Sequence, residues 1–222
     1  MDLVRYFIDF VLHLDVHLAE VIQRYGTQTY ALLFLIVFVE TGLVVMPFLP
    51  GDSLLFVVGA LCGVGLMNYS LAVPLLIAAA VAGNQTNYTI GSAVGPRVFQ
   101  WEHSRLFNKH AFERAHAFYE EYGGITLVAA RFLPFLRTFA PFVAGVAQMT
   151  RPKFTLYDVT GGTLWVVSIV TAGYLFGNLE WVQKNMSAII WAMIIVPGAI
   201  ALFGAWRAKR SKVEAAAPAR GA

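Results

Sequence analysis

The chain has 222 residues, of which 58% are hydrophobic and only 13% are charged. A soluble domain normally carries about 25% charged residues, so the composition argues against a soluble protein and indicates one integral membrane domain. The net charge of +3 does not indicate a nucleic-acid partner, because many basic residues are concentrated just after the last apolar segment.

The N-terminal third predicts an interfacial helix followed by a broken apolar hairpin. Residues 3–25 alternate apolar and polar side chains at helical spacing, which is typical of an amphipathic helix lying on a membrane. The stretch 29–46 is apolar except for Glu40, and a second apolar stretch covers 53–67. The predicted break between the two stretches consists of Pro47, Pro50 and Gly51.

The middle of the chain predicts a spanning segment and a charged linker. Residues 71–94 are numerous enough to cross a bilayer, but they contain a polar insert made of Asn84, Gln85, Thr86 and Asn87. Residues 97–122 carry most of the charge in this region. They predict an amphipathic helical linker on the solvent side, ended by two glycines.

A second broken hairpin is predicted over 125–146. This stretch is apolar, yet it contains Arg131 and Arg137. Proline removes a backbone donor and kinks or ends a helix. The predicted breaks are Pro134, Pro141 and Gly145.

The C-terminal part predicts the two clearest spanning helices, over 154–176 and 186–206, each close to the roughly 20 residues that a bilayer requires. We expect tryptophans, including Trp165, to anchor the ends of these helices at the interfaces. Residues 207–222 predict a basic, disordered tail after a membrane domain of 1–206. Lys and Arg beside a span usually stay cytoplasmic, so we expect a cytoplasmic C-terminus.

A weak internal repeat relates the two halves. Residues 47–51 (Pro-Phe-Leu-Pro-Gly) are similar to 141–145 (Pro-Phe-Val-Ala-Gly), and 87–91 are similar to 173–177. Such short matches also arise by chance. Interrupted apolar segments at matching positions of two halves are nevertheless typical of a transporter's binding site.

Two carboxylates lie in or beside the apolar sequence. An ionised Glu40 at the bilayer centre costs about 3 kcal/mol on insertion scales, so we expect it to face a cavity or a partner, or else to snorkel to the interface. Asp52 follows a Pro-Gly turn, where either it or Ser53 is expected to cap the next helix. A helix start at membrane depth also suits an anion.

Arg131 and Arg137 need counter-anions, because an arginine cannot neutralise itself by losing a proton. A helix break at Pro134 would allow both side chains to reach one cavity, where Glu40 and Asp52 are available partners. Two interpretations remain open. The arginines form structural salt bridges, or they clamp a phosphate, whose oxygens match the guanidinium fork.

The polar insert predicts further pocket-lining groups, namely Asn84, Asn87 and Tyr88. Interhelical hydrogen bonding explains the amides equally well. His13 and His17 are four residues apart, a spacing that can bind metal, but no other ligand cluster supports this. We therefore expect no metal and no cofactor.

Motifs of ATP-driven transporters, serine hydrolases and zinc proteases are missing, so we do not expect an enzyme. The single cysteine, Cys62, cannot form an intrachain disulfide and is expected to pack as a small hydrophobic residue.

At these residues the sequence resembles the DedA family, also called the SNARE-associated or VTT-domain family. The resemblance extends from the N-terminal helix to about Gly177. Its most specific part is 131–141 (Arg-Phe-Leu-Pro-Phe-Leu-Arg-Thr-Phe-Ala-Pro). The other stretches that carry it are 38–42 (Phe-Val-Glu-Thr-Gly), 47–52 (Pro-Phe-Leu-Pro-Gly-Asp), 87–91 (Asn-Tyr-Thr-Ile-Gly) and 144–145 (Ala-Gly). A departure is Asn84, in a region where many relatives carry an acid.

The resemblance implies an all-α polytopic protein of the bacterial inner membrane, built as an inverted repeat of two re-entrant helical hairpins. It implies that Glu40, Asp52, Arg131 and Arg137 are the functional residues. Several members move undecaprenyl phosphate or, in other branches, phospholipids between leaflets, and some depend on the proton or sodium gradient.

The expected function is therefore translocation of undecaprenyl phosphate, coupled to the proton gradient. The two arginines would bind the phosphate, and the two acids would compete for the arginines when ionised. Expected partners are membrane lipids, polyprenyl phosphate and protons or sodium, with a homo-oligomer as one possible assembly. The alternatives are a broader phospholipid scramblase, uptake of a small oxyanion such as selenite, and a non-transport role in envelope integrity or assembly.

Overall fold

The computed structural model describes residues 24–43, 51–98 and 109–185, together with single positions at 18, 22, 188, 189, 191, 192, 195, 196 and 199. Over this part of the chain every regular element is an α-helix. Several expectations fall wholly or mostly outside the described residues: the helix over 3–25, the breaks at Pro47 and Pro50, the helix over 186–206, and the tail.

Each half of the chain contributes two short helices and one long helix. The first half contains α1 (Gln28–Gly42), α2 (Gly51–Gly63) and α3 (Tyr69–Val98), followed by the linker helix α4 (Lys109–Glu121). The second half contains α5 (Gly123–Ala130), α6 (Pro134–Val146) and α7 (Arg151–Phe176), followed by α8 (Glu180–Lys184).

The helices α1 and α2 form an antiparallel hairpin. At its closed end, the backbone N–H of Gly51 donates to the Glu40 carboxylate at 3.2 Å. Near its open end, the Tyr30 hydroxyl accepts the backbone N–H of Asn68 at 2.8 Å, just before α3 begins. The helix α3 therefore starts beside the open end and runs along α1 in the same direction.

The helices α5 and α6 form the second hairpin. Its closed end is the turn at 131–133, and Pro134 is the first residue of α6, where the missing N–H of proline is tolerated. The helix α7 then packs along α5.

Pro141 and Gly145 do not break this hairpin, so that part of the sequence prediction is wrong. Both lie within the continuous helix α6. Pro141 removes one hydrogen bond of the helix, but packing of α6 against α3 keeps the helix intact. Gly145 serves that packing, because a Cβ atom there would overlap the Tyr88 carbonyl.

One helix of each hairpin packs against the long helix of the opposite half, an arrangement called the exchange below. The helix α2 of the first half packs on α7 of the second, and α6 of the second half packs on α3 of the first. The side chains between α2 and α7 are completely buried, among them Leu55, Val58, Val166 and Val170. Each hairpin is thus held by the long helix of the opposite half.

The same glycine contacts recur at both exchanged interfaces. A Cβ atom at Gly59 would overlap the Val170 carbonyl, and one at Gly173 would overlap that of Phe56. At the interface of α3 and α6, a Cβ atom at Gly145 would overlap the backbone of α3, and one at Gly91 would overlap the backbone of α6. These contacts align 56–59 (Phe-Val-Val-Gly) with 142–145 (Phe-Val-Ala-Gly). The two exchanged interfaces are therefore equivalent, but in a register different from the one that the sequence suggested.

The exchange also defines the direction of each hairpin. Asp52 at the start of α2 bonds Trp165 within α7, and Asn178 just beyond α7 bonds Ala60 near the end of α2. The helices α2 and α7 are therefore parallel, as are α6 and α3. Because each hairpin reverses direction, the two hairpins enter from opposite ends of the long helices and their closed ends meet.

Among the described helices, α7 has the length and apolar composition needed to cross a membrane, whereas α1, α2 and the Leu136–Val146 part of α6 are apolar but shorter. Large apolar side chains of α7 point outward, and Leu156, Leu164 and Leu175 are each more than half exposed. An exposed apolar surface of this kind is typical of a helix that faces lipid.

Candidate functional site

Glu40, Asp52 and Arg137 meet where the closed ends of the two hairpins face each other. The Arg137 guanidinium donates through Nη1 to Asp52 Oδ1 at 2.8 Å and through Nη2 to Glu40 Oε1. The side chain of Arg137 is 7% exposed, that of Glu40 is fully buried, and that of Asp52 is 20% exposed. One arginine of the second hairpin is thus held by both acids of the first.

The start of α2 explains where these acids lie. Asp52 is in the first turn of α2, where the helix dipole favours a negative charge. The expectation that Asp52 or Ser53 is the N-cap is wrong, because α2 already begins at Gly51 and Asp52 bonds Arg137 instead. Gly51 makes room for the Glu40 carboxylate, which a Cβ atom there would overlap.

Trp165 completes the surroundings of Arg137. Its indole Nε1 donates to Asp52 Oδ1 at 2.8 Å, and the Arg137 Cζ atom lies 5.5 Å from the ring centroid. Trp165 is 1% exposed. The prediction of an interfacial anchor is therefore wrong for this tryptophan, which is part of the charged cluster.

Arg131 has a partner that the sequence analysis did not identify. Its Nη2 donates to the carboxylate of Asp158 and, at 3.1 Å, to the main-chain carbonyl of the same residue. Both side chains are buried, with exposures of 5% and 1%. Arg131 and Arg137 thus bind separate acids.

The polar insert of α3 supports the Asp158 carboxylate. Asn84 Nδ2 donates to its Oδ1 at 2.9 Å, and Gln85 Nε2 donates to its Oδ2 at 3.1 Å. Asp158 is thus an acid on α7 held by an arginine of the second hairpin and by two amides of the first half.

Asn87 joins the closed ends of both hairpins. Its Nδ2 donates to the carbonyl of Thr41 at 3.2 Å and to that of Thr138 at 2.7 Å. Tyr88 lies elsewhere. Its hydroxyl donates to the Met149 carbonyl, and its ring stacks on Phe154. The described contacts of Tyr88 therefore belong to helix packing and do not place it beside the charges.

Among the residues that the structure describes, the five charged groups at and beside the hairpin ends carry a surplus of acid. Three carboxylates, Glu40, Asp52 and Asp158, face two guanidiniums. Within the described part of the chain, four buried polar atoms of the region have no hydrogen-bond partner: Glu40 Oε2, Asn84 Oδ1, Asn87 Oδ1 and Arg137 Nε. A buried surplus charge is costly unless it is paired or neutralised.

A signal for Asp158 is present in the sequence. It is an acid within the apolar helix 154–176, and the same pattern singled out Glu40. Trp165 has no comparable signal, because a tryptophan in an apolar helix is ordinary.

Comparison with known proteins identifies relatives over the whole chain. The VTT domain family matches residues 49–175, more than half of the sequence. Protein DedA of Escherichia coli K12 is 48% identical over 221 residues, which cover 97% of this chain and 100% of the relative. Inner membrane protein YqjA of the same strain is 35% identical over 79% of this chain and 80% of its own.

An uncharacterized membrane protein of Mycobacterium leprae is 42% identical over 80% of this chain and 79% of its own. No solved structure matches the chain. The matched VTT domain begins beside Asp52 and includes Arg131, Arg137 and Asp158. The helical chain is therefore a bacterial membrane protein that belongs to the DedA family.

Proposed function

We propose that this protein moves a lipid phosphate, with undecaprenyl phosphate as the substrate, between the leaflets of the inner membrane. The observation that carries the proposal is Arg137, a buried guanidinium of one hairpin held by Glu40 and Asp52 of the opposite hairpin. A permanent positive charge at the meeting point of two opposed hairpins is a suitable binding group for an anion.

The lengths of the short helices support a re-entrant arrangement. The helices α2 and α6 have 13 residues each, and at about 1.5 Å per residue each rises roughly 20 Å. The hydrocarbon core is about 30 Å thick, so each hairpin enters the membrane and returns to the side from which it came. In this arrangement residues 1–206 form a multi-pass domain with the C-terminus in the cytoplasm.

Binding of the substrate exchanges one anion for another at the arginines. Phosphate oxygens accept bidentate hydrogen bonds from a guanidinium, as carboxylates do. The lipid phosphate takes the place of the acids beside Arg131 and Arg137, while its hydrocarbon chain remains in the bilayer. A lipid whose charged head alone passes between the hairpins needs no wide aqueous channel.

The surplus acid couples this exchange to the proton gradient. A proton on Glu40 or Asp52 weakens its hold on Arg137 and leaves the guanidinium available to phosphate. Moving one charge through 100 mV supplies about 2.3 kcal/mol, which is enough to bias the exchange in one direction.

Alanine substitutions of the two arginines test this function. In cells depleted of other family members, leaflet-resolved labelling of undecaprenyl phosphate should show loss of translocation in Arg131→Ala and Arg137→Ala. Arg24→Ala, which removes an exposed arginine outside the cluster, should behave as wild type. Normal translocation by both cluster variants would overturn the proposal.

Arg137→Lys separates transport from a purely structural role. Lysine keeps the charge but cannot present the fork that spans Asp52 and Glu40 or a phosphate, so we expect translocation to fall at least about tenfold, the effect of losing about 1.4 kcal/mol of binding. A protein needed only for envelope integrity would tolerate this change, and full complementation by Arg137→Lys in an envelope-stress assay would favour that role.

Substrate selectivity is tested in proteoliposomes. Undecaprenyl phosphate should exchange between leaflets faster than labelled phosphatidylethanolamine, whereas equal rates would indicate a broader scramblase. Uptake of radiolabelled selenite by whole cells, dependent on Arg137, would indicate an oxyanion transporter instead.

A further inference from the structure

We propose that Asp158 is a positioning residue of the translocation site, which occupies Arg131 in the empty protein and releases it to the substrate phosphate. This inference rests on the proposed function and adds to it a third acid, on α7, outside both hairpins. Four features of the structure support it.

The first feature is the isolation of the pair from solvent. Arg131 and Asp158 are 5% and 1% exposed, so an anion that binds Arg131 does not displace water alone. At Nη2, the nitrogen through which Arg131 binds Asp158, the anion must replace the carboxylate. Asp158 therefore acts as a competitor that determines how tightly Arg131 holds any incoming phosphate.

The second feature is the surface of α7 against which Arg131 lies. A Cβ atom at Gly162 would stand 3.2 Å from the arginine Nη2, and one at Gly161 would stand 3.3 Å from its Cδ. The two glycines allow the side chain to lie flat on the helix, where the main-chain carbonyl of Asp158 accepts at 3.1 Å. This backbone contact keeps Arg131 in place when the carboxylate moves away.

The third feature is a set of other donors for the carboxylate. Asn84 and Gln85 bind the two oxygens of Asp158 from α3, at 2.9 and 3.1 Å. A buried carboxylate without partners is strongly unfavourable. These amides allow Asp158 to release Arg131 without remaining unsolvated, so the exchange of partners is feasible inside the protein.

The fourth feature is that positions 84 and 158 form an amide–carboxylate pair of equal size. Asn84→Asp combined with Asp158→Asn reverses the hydrogen bond and places the carboxylate on α3, 2.9 Å from the side chain that contacts Arg131. If the carboxylate competes for Arg131, the double substitution should preserve phosphate affinity. The single substitutions should change phosphate affinity in opposite directions.

The test measures binding of farnesyl phosphate to the purified full-length protein in detergent, and exchange of polyprenyl phosphate in proteoliposomes. Asp158→Asn removes the competitor, so farnesyl phosphate should bind about tenfold more tightly while exchange slows about tenfold, because release becomes difficult. Asn84→Asp adds a second carboxylate and should weaken binding about tenfold. The double variant should return both quantities to within about threefold of wild type.

A residue with only a structural role gives a different pattern. In that case Asp158→Asn would reduce binding and exchange together, and the double variant would restore neither, which would overturn the inference. Should Asp158→Asn fail to fold, the other two variants decide, because unchanged binding in Asn84→Asp contradicts competition for Arg131. Glu180→Gln, which alters a 90% exposed acid, is the matched control.

The same experiment distinguishes this inference from the proposed function. If the wild-type protein neither binds farnesyl phosphate nor exchanges polyprenyl phosphate, the proposed function fails. If the wild-type protein does both and Asp158→Asn behaves as wild type, the function stands and the role of Asp158 is refuted.

Discussion

The guanidinium of Arg137 contacts three helices. Carboxylates from α1 and α2 bind its nitrogens, and the Trp165 ring from α7 lies near its face. A buried arginine keeps its charge only while such contacts replace water. The indole of Trp165 has two contacts in the cluster, because its ring faces the Arg137 guanidinium and its N–H donates to Asp52.

We expect Trp165→Phe to lower the free energy of unfolding by about 2 kcal/mol, since it removes a hydrogen bond to an ionised group while keeping an aromatic ring. Thermal unfolding in detergent measures the change. Trp181→Phe is the control, because Trp181 is 69% exposed. Equal melting temperatures for the two variants would show that the indole N–H contributes nothing to the cluster.

For single residues, the sequence indicates which side chains need partners but not which partners they find. Charge within apolar sequence marks Glu40 and Arg137, since burial without a partner is costly wherever the residue lies. It does not decide that Arg131 binds Asp158 while Arg137 binds the other two acids. That choice depends on how α7 is placed beside the turn at 131–133, which is a property of packing.

The exchanged helices approach so closely that glycine is required between them. A Cβ atom at Gly59 would overlap the backbone of α7, and one at Gly145 would overlap the backbone of α3. Because the added atom would meet main chain and not a flexible side chain, the helices themselves would have to separate.

Gly59→Ala and Gly145→Ala should therefore each destabilise the protein by about 2–3 kcal/mol, measured as a fall in melting temperature in detergent. Gly42→Ala provides the comparison, because its nearest neighbour would be 3.3 Å away and a small shift suffices. If all three variants melt alike, the close approach of the exchanged helices is not what stabilises the fold.

The linker helix α4 is attached to the start of α7 by Glu120. The carboxylate accepts the backbone N–H of Thr150 at 2.6 Å and pairs with Lys153 at 3.7 Å. The hydrogen bond from Thr150, followed by lesser contributions that include Lys153, holds the pKa of Glu120 below its ordinary value of 4.5. Glu120 thus stabilises the folded state above this value.

A depressed pKa means that this stability is lost as the pH falls below about 4.5. The wild-type melting temperature should therefore decline more steeply between pH 5 and 3 than that of Glu120→Gln, which has no charge to lose. Since other acids titrate in both proteins, the difference between the two curves is the informative quantity. Parallel curves would show that Glu120 does not hold α4 against the start of α7.

Across the whole molecule, the charged groups are enclosed by the meeting of the two hairpins. Asn87 bonds the carbonyls of both Thr41 and Thr138, so the closed ends are neighbours in this conformation. The proposed transport between leaflets requires these ends to separate on one side at a time.

Cross-linking the hairpin ends should therefore stop transport. In a protein with Cys62 replaced, oxidation of a Thr41→Cys and Thr138→Cys pair should block lipid-phosphate exchange, and reduction should restore it. Thr41→Cys alone, treated with the same oxidant, is the control, because it has no second thiol with which to form a disulfide. This control should exchange lipid in both states, and exchange by the cross-linked hairpin pair would contradict the separation.

Helix positions are the part of the fold that sequence predicts best. The predicted segments 154–176 and 71–94 correspond to the helices α7 and α3, because apolar length is a local property, although of these two described helices only α7 is apolar enough to cross a membrane. Pro141 shows the limit, since its effect on α6 depends on the neighbouring helix and not on proline alone. The exchange of α2 and α6 between the halves is a relation among distant segments, and it has no local signal.

That exchange has a consequence for synthesis of the protein. When α3 has left the ribosome, α2 still lacks the helix that covers it, because α7 is made last but one among the described helices. The glycine surface of α2 is therefore uncovered until α7 is made, and we expect a chain truncated before Arg151 to be unstable. Conversely, two separately translated halves contain complementary faces and should reassemble when produced together.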